Sequence, residues 1–293
     1  MSAPAPVVVA VDGTDDGRRA LQYGIAVATR SGAPLRLVHV RHDNVVLAPP
    51  MLMPLLPDPT LDEIAARVLR EALDDTRRMG WKGDEPETVV ARAPRAPAIV
   101  DNARDARCVV LGTRSGSAQH LLTGSTTNGV AAHSDVPVFC VPPTWEADTE
   151  AHRVCVGVDC SESSVPLVEA AAVTAGELGA RVVVLHAWRP FAQYDAAISE
   201  RTFEERWEEQ TRPFLDKIVD NVTASHPDVV IDVELRFERP VVALHELSQT
   251  CDLVVIGRHG HHARLSPRLG TTARTVIRTS ASPVLVVPTQ RRA

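Results

Sequence analysis

Short apolar runs alternate along the chain with stretches whose apolar positions recur every three or four residues. Val7 to Val11, Leu35 to Val40, Glu87 to Arg92, Cys108 to Leu111 and Val138 to Val141 read as strands. Most are apolar at consecutive positions and rich in Val, the pattern of strands covered on both faces of a parallel sheet. Between them the spacing changes to the helical period. Leu21, Ile25 and Ala28 fall at i, i+4 and i+7, as do Val168, Ala172 and Ala175, so each set lines one helix face. Thr14 and Ser161 stand where N-caps are expected, each followed by acidic residues in the first turn.

The pattern is written twice. VVVAVDGTDDGRRAL is answered by VCVGVDCSESSVPLV, and APLRLVHV by ARVVVLHA; Asp12 maps to Asp159 and His39 to His186, both 147 positions on. Gly112 maps to Gly257 at an offset of 145, and Gly124 to Gly270 at 146. A match in the same order along both halves is a tandem duplication. It predicts domains at 1–142 and 153–293 joined by a linker at 143–152. Each half runs β-α-β-α-β-α-β-α-β. Right-handed crossovers then give two tandem α/β domains, each a doubly wound, Rossmann-like, five-stranded parallel sheet of order 3-2-1-4-5. The closing runs PVFCV and PVLVV would be exposed apolar edges if left alone, and pairing them in a pseudo-twofold arrangement would cover both.

Composition narrows the class. The chain has 293 residues, 44% apolar and 23% charged, which fits two globular domains and excludes wholesale disorder. A net charge of −6 gives no general attraction to a nucleic-acid backbone or an anionic membrane. No membrane span or signal peptide is read. The five cysteines lack a C-x-x-C pair, which fits a reducing, cytoplasmic setting.

Ligands of open α/β sheets bind beyond the carboxyl ends of the strands, where strand order reverses. Asp12 and Asp159 end the first strand of each repeat; Gly112 and Gly257 end the fourth, its neighbour at that fork. The stretch GRHGHHARLSPRLGTT then carries Gly257, Gly260 and, with nine residues between, Gly270 with Thr271 and Thr272 opening a helix. Glycines let main-chain N–H groups approach phosphate oxygens, and a helix start adds N–H donors and a positive dipole end. Arg258, Arg264 and Arg268 place positive charge beside that cradle.

With G-x-x-G, nine residues and G-[S/T] in place, the sequence resembles the universal stress protein family in its tandem, ATP-binding form. The resemblance covers nearly the whole chain, from Val-Asp-Gly-Thr at Asp12 to Pro-Val-Leu-Val-Val at Pro283. It implies ATP at the fork of repeat 2, accompanied by Mg2+ or not. Asp159 and the backbone around Ala187 would hold the adenosine end; Gly257, Arg258, His259, Gly260, Arg268, Gly270, Thr271 and Thr272 would hold the phosphates. The corresponding set in repeat 1 is Asp12, Val40, Gly112, Arg114, Ser115, Gly116, Gly124, Ser125 and Thr126. There Ser115 replaces the second glycine, and only eleven residues separate Gly112 from Gly124, against twelve in repeat 2. Cys160 stands where repeat 1 has Gly13, which suggests that this turn does not require positive φ.

The resemblance implies a stress-response regulator with an unidentified protein partner, able to form a homodimer, and association of the final strands inside the chain. An ATP-hydrolysing or adenylyl-transferring enzyme and a nucleotide-free structural module are the other readings. Against the enzyme, the two lysines, Lys82 and Lys217, lie outside any glycine loop, so no Walker A motif exists. Ser115 lies in G-x-x-S-G order rather than the nucleophile elbow's G-x-S-x-G. His259, His261 and His262 lack a cysteine or carboxylate to complete a metal site. No catalytic residue and no protein-held metal are expected.

Overall fold

The computed structural model describes residues 4–41, 58–92, 94–113, 126–147, 151–161, 163–189, 200–258 and 269–288. The chain divides into two compact units, Met1–Pro143 and Thr144–Ala293. The segment anticipated as a linker is tied to the second unit. Asp252 accepts from the N–H groups of Ala151 (2.7 Å) and Arg153 (2.8 Å), and the Thr144 hydroxyl donates to the Ala281 carbonyl at 3.1 Å.

The first unit runs β1 (Val7–Ala10), α1 (Asp15–Ser31), β2 (Leu35–Arg41), α2 (Asp58–Arg78), β3 (Glu87–Arg92), α3 (Arg95–Asp101), β4 (Cys108–Gly112), α4 (Thr126–His133) and β5 (Val138–Val141). Its strands are parallel in the order β3-β2-β1-β4-β5. The second runs β6 (Arg153–Gly157), α5 (Ser164–Leu178), β7 (Arg181–Ala187), α6 (Glu200–Ser225), β8 (Ile231–Arg236), α7 (Pro240–Ser248), β9 (Leu253–Gly257), α8 (Thr271–Thr279) and β10 (Val284–Val287). Its order is β8-β7-β6-β9-β10, again parallel. Each unit is thus the doubly wound sheet expected.

The first two crossovers of each unit run outward one way and the last two the other. Right-handed connections therefore place α1 and α2 on one face and α3 and α4 on the opposite one, with α5 and α6 opposite α7 and α8. This sandwich explains why Val7, Val8, Val9, Val109 and Val110 are all fully buried, as are Val154, Val156, Val254 and Val255. The anticipated helix faces are buried too: Leu21, Ile25 and Ala28 in α1, Val168, Ala172 and Ala175 in α5.

The two helix starts differ. Thr14 caps α1 as expected: its hydroxyl accepts from the Gly17 N–H at 3.2 Å, and Asp15 and Asp16 occupy the first turn. Ser161 does not cap α5. That helix begins at Ser164, its N-cap Ser163 makes no side-chain cap bond, and its first turn carries no acid. The Ser161 hydroxyl donates to Asp159 at 2.6 Å and also meets the Ser163 hydroxyl.

Candidate functional site

At the fork of each sheet, the strand that runs on into an aspartate turn lies beside the strand that ends in a glycine. β1 pairs with β4 through Val9 and Val110, and β6 with β9 through Val156 and Val255. Beyond the last rung, each first strand leaves the sheet in a tight turn built around an exposed aspartate. Asp12 Oδ1 accepts from the Thr14 N–H at 3.1 Å and the Thr14 hydroxyl at 2.5 Å. Asp159 Oδ1 accepts from the Ser161 N–H at 3.2 Å and the Ser161 hydroxyl, with the Ser164 hydroxyl at 3.4 Å. The aspartates therefore first serve as turn acceptors.

The residue after each aspartate is left-handed. Gly13 has φ +75° and Cys160 has φ +56°. The expectation that Cys160 frees this turn from positive φ is wrong: the aspartate's bonds to the residue two ahead impose the conformation, and the cysteine adopts it. Burial, with the Asp159 charge beside it, pushes the Cys160 thiol up to about 12, so it is no thiolate nucleophile at neutral pH.

The other side of the fork is the end of β9. Arg258 N–H donates to the Val287 carbonyl, and the Gly270 N–H donates to the Arg258 carbonyl at 3.0 Å. The second bond closes the base of the Gly-rich loop and sets the start of α8 at the end of β9. Gly270 is the N-cap and supplies no side-chain cap, while the side chains of Thr271 and Thr272 are exposed. The first intrahelical donor is the Arg274 N–H, bonded to the Gly270 carbonyl at 2.9 Å. The N–H groups of Thr271, Thr272 and Ala273 precede it and have no carbonyl of the helix to reach. That geometry receives anions.

In the first unit, Gly112 has a packing reason of its own. A Cβ there would lie 2.6 Å from the Asp16 carbonyl oxygen in the first turn of α1. The Thr127 hydroxyl donates to the Gly112 carbonyl at 2.9 Å and joins α4 to the end of β4. Thr126 opens α4, and Val40, like Ala187, is the strand residue following the recurrent histidine. Arg114, Ser115, Gly116, Gly124 and Ser125 lie outside the described residues. So do His259, Gly260, Arg268 and the remainder of the loop with His261, His262 and Arg264.

Two features of the crevice carry no signal in the glycine motif. One is the histidine pair: His39 Nδ1 meets the Val11 carbonyl and His186 Nδ1 the Val158 carbonyl, both at 2.8 Å. Their recurrence at one offset was the available clue. Burial lowers the His186 pKa from its ordinary value, opposed by the Val158 carbonyl and by Asp159. The other is an aromatic cluster in the second unit. His186 stacks on Trp207 of α6 at 5.6 Å, Trp207 stacks on Trp188 at 6.1 Å, and Phe237 tilts against both tryptophans. At the place of Trp188 the first unit has Arg41, buried and paired with Asp62 at 2.6 Å. The two units thus fasten the helix after the second strand by different chemistry.

Among the described residues, no group of three or more His, Cys, Asp or Glu side chains could hold a metal ion, and no helix is long and apolar enough to cross a membrane.

The universal stress protein family model matches residues 5–142 and 150–288, once over each repeat. A universal stress protein of Mycobacterium tuberculosis (strain H37Rv) is 32% identical over 76% of this chain and 70% of its own length. One from Mycolicibacterium smegmatis is 27% identical over 96% of both chains. The crystal structure of a universal stress protein from Archaeoglobus fulgidus superposes with a TM-score of 0.67 at 18% identity, covering 98% of this chain and 97% of that one. At that identity the likeness is one of fold.

Proposed function

This chain belongs to the universal stress protein family, and on that footing we propose that it is a regulatory protein that binds adenine nucleotide, ATP, at the fork between β6 and β9. One observation carries the reading. The start of α8, uncapped by any side chain and bordered by the exposed Thr271 and Thr272, is tied through Gly270 to the end of β9, the strand adjoining the one that leads into the Asp159 turn. First-turn N–H groups, hydroxyls and the Arg258 guanidinium are all donors, the complement of a polyphosphate.

In this reading Gly257, Gly260, Gly270, Thr271 and Thr272 hold the phosphates, with Arg258, His259 and Arg268 beside them. The main chain of Ala187 reads the base. Asp159 would stand at the adenosine end, its Oδ1 serving the turn. Mg2+ would arrive with the phosphates. We read the role as binding rather than turnover, because main-chain amides, hydroxyls and a guanidinium are groups that hold phosphate. The fork of the first unit keeps the aspartate turn and Thr126, and would take the same ligand less tightly across its shorter loop.

The test is the nucleotide carried by the purified full chain, released by heat and identified by chromatography. Adenine nucleotide at about one or two per chain supports the reading. None, even after incubation with ATP and Mg2+, favours a structural module. Steady phosphate release that disappears in Gly260→Val would make it an enzyme.

A further inference from the structure

In a parallel sheet the N–H and C=O of one residue point to the same neighbouring strand, and successive residues alternate. The Leu185 carbonyl accepts from the Val158 N–H at 2.9 Å, so the main chain of Leu185 faces β6, and that of Ala187, two residues on, faces the same way. The next rung of the ladder would run from the Ala187 N–H to the Val158 carbonyl. That carbonyl instead meets the ring of His186 at 2.8 Å. The first unit repeats the arrangement: the Val38 carbonyl accepts from the Val11 N–H at 2.9 Å, and the Val11 carbonyl accepts from His39 Nδ1 at 2.8 Å. A carbonyl can only accept, so Nδ1 carries the proton in both rings.

We propose that His39 and His186 are positioning residues that end the first-to-second-strand ladder one rung early and keep the main chain of Val40 and Ala187 open as a donor–acceptor edge for the nucleobase. The proposal rests on the adenine reading above and deepens it. Each ring supplies a donor to the carbonyl just before the aspartate turn, so the strand can leave the sheet without a buried acceptor left unpaired. The Ala187 N–H and C=O then point past the end of β6 into the fork. One donor and one acceptor on the same side match the ring nitrogen and exocyclic amine of adenine, and mismatch guanine, which presents the opposite pair. In the second unit the ring is held from behind by Trp207, itself stacked on Trp188. The sharper device therefore stands beside the intact glycine loop.

The full chain tests this by NMR. In the wild type, a long-range proton–nitrogen correlation of the His186 ring should place the proton on Nδ1; a proton on Nε2 alone overturns the proposal. Two variants follow. His186→Phe keeps a ring against Trp207 without a donor, and His186→Asn keeps a donor near the Nδ1 position. ATP is titrated while following the Ala187 amide, which reports on the second unit alone. His186→Phe should bind ATP about tenfold more weakly, the loss of one hydrogen-bond equivalent, and its Ala187 amide should exchange more slowly as it closes on the Val158 carbonyl. His186→Asn should stay within about threefold of wild type in both readouts. Equal losses in both variants, or unchanged Ala187 exchange in His186→Phe, overturn the proposal. If the wild type takes up no ATP, the nucleotide reading falls by itself, and the Ala187 exchange rates still decide what the ring does.

Discussion

Cys160 sits at φ +56°, in the place where the first repeat has Gly13 at φ +75°. A non-glycine residue in the left-handed region costs about 1–2 kcal/mol, from the approach of Cβ to the following carbonyl oxygen. Glycine removes that cost but loses about 0.5–1 kcal/mol to the freer unfolded chain. Comparing Cys160→Gly with Cys160→Ala cancels the thiol, absent from both, and leaves the difference between these terms. Glycine should be the more stable by about 0.5–1 kcal/mol, or about 2 °C for a unit of this size. Calorimetry of the full chain reads it directly from the transition that moves. Cys160→Val, branched at Cβ, should lie below both. An alanine variant as stable as the glycine variant would refute the account, since it would mean that Asp159 does not hold this turn left-handed.

Other substitutions separate packing from ligand binding. Gly112→Ala brings a Cβ to 2.6 Å from the Asp16 carbonyl oxygen; it should cost about 1–3 kcal/mol in urea unfolding with no nucleotide present. Thr14→Ala removes a cap bond and should cost about 1 kcal/mol, whereas Ser163→Ala, which removes none, should leave helix stability within about 0.5 kcal/mol by the same assay. Burial raises the thiols of Cys140 and Cys160 to about 12. Their contribution is therefore fully present below the unfolded thiol value of about 8.5 and is lost as pH rises toward the folded value. The urea midpoint should fall with pH above that point, less so in Cys140→Ala, and native protein should react slowly with thiol reagents at pH 8.

The sheet was legible because burial on both faces leaves its central strands unbroken apolar runs: Val138–Val141 lies where the pattern put it, and Cys108–Gly112 extends one residue past it. Turn chemistry was less so. Ser161 reads as an N-cap by composition, yet it lies within the aspartate turn and the helix starts three residues later. The left-handed Cys160 contradicts residue preference, though alignment with Gly13 held the clue. The histidine pair was visible by recurrence, but its carbonyl partners appear only once strand register is known. The clasp of Trp188 on Trp207 had no signal at all, since the two lie in different elements and the first repeat replaces them with Arg41 and Asp62.

The most direct measurement is a crystal structure of the full chain grown with ATP and Mg2+. The account predicts density for the triphosphate at the start of α8, within hydrogen-bond reach of the Thr271 and Thr272 main chain, and the adenine edge against the main chain of Ala187. An empty fork in crystals soaked at saturating ATP, or a nucleotide bound elsewhere on the second unit, would contradict it.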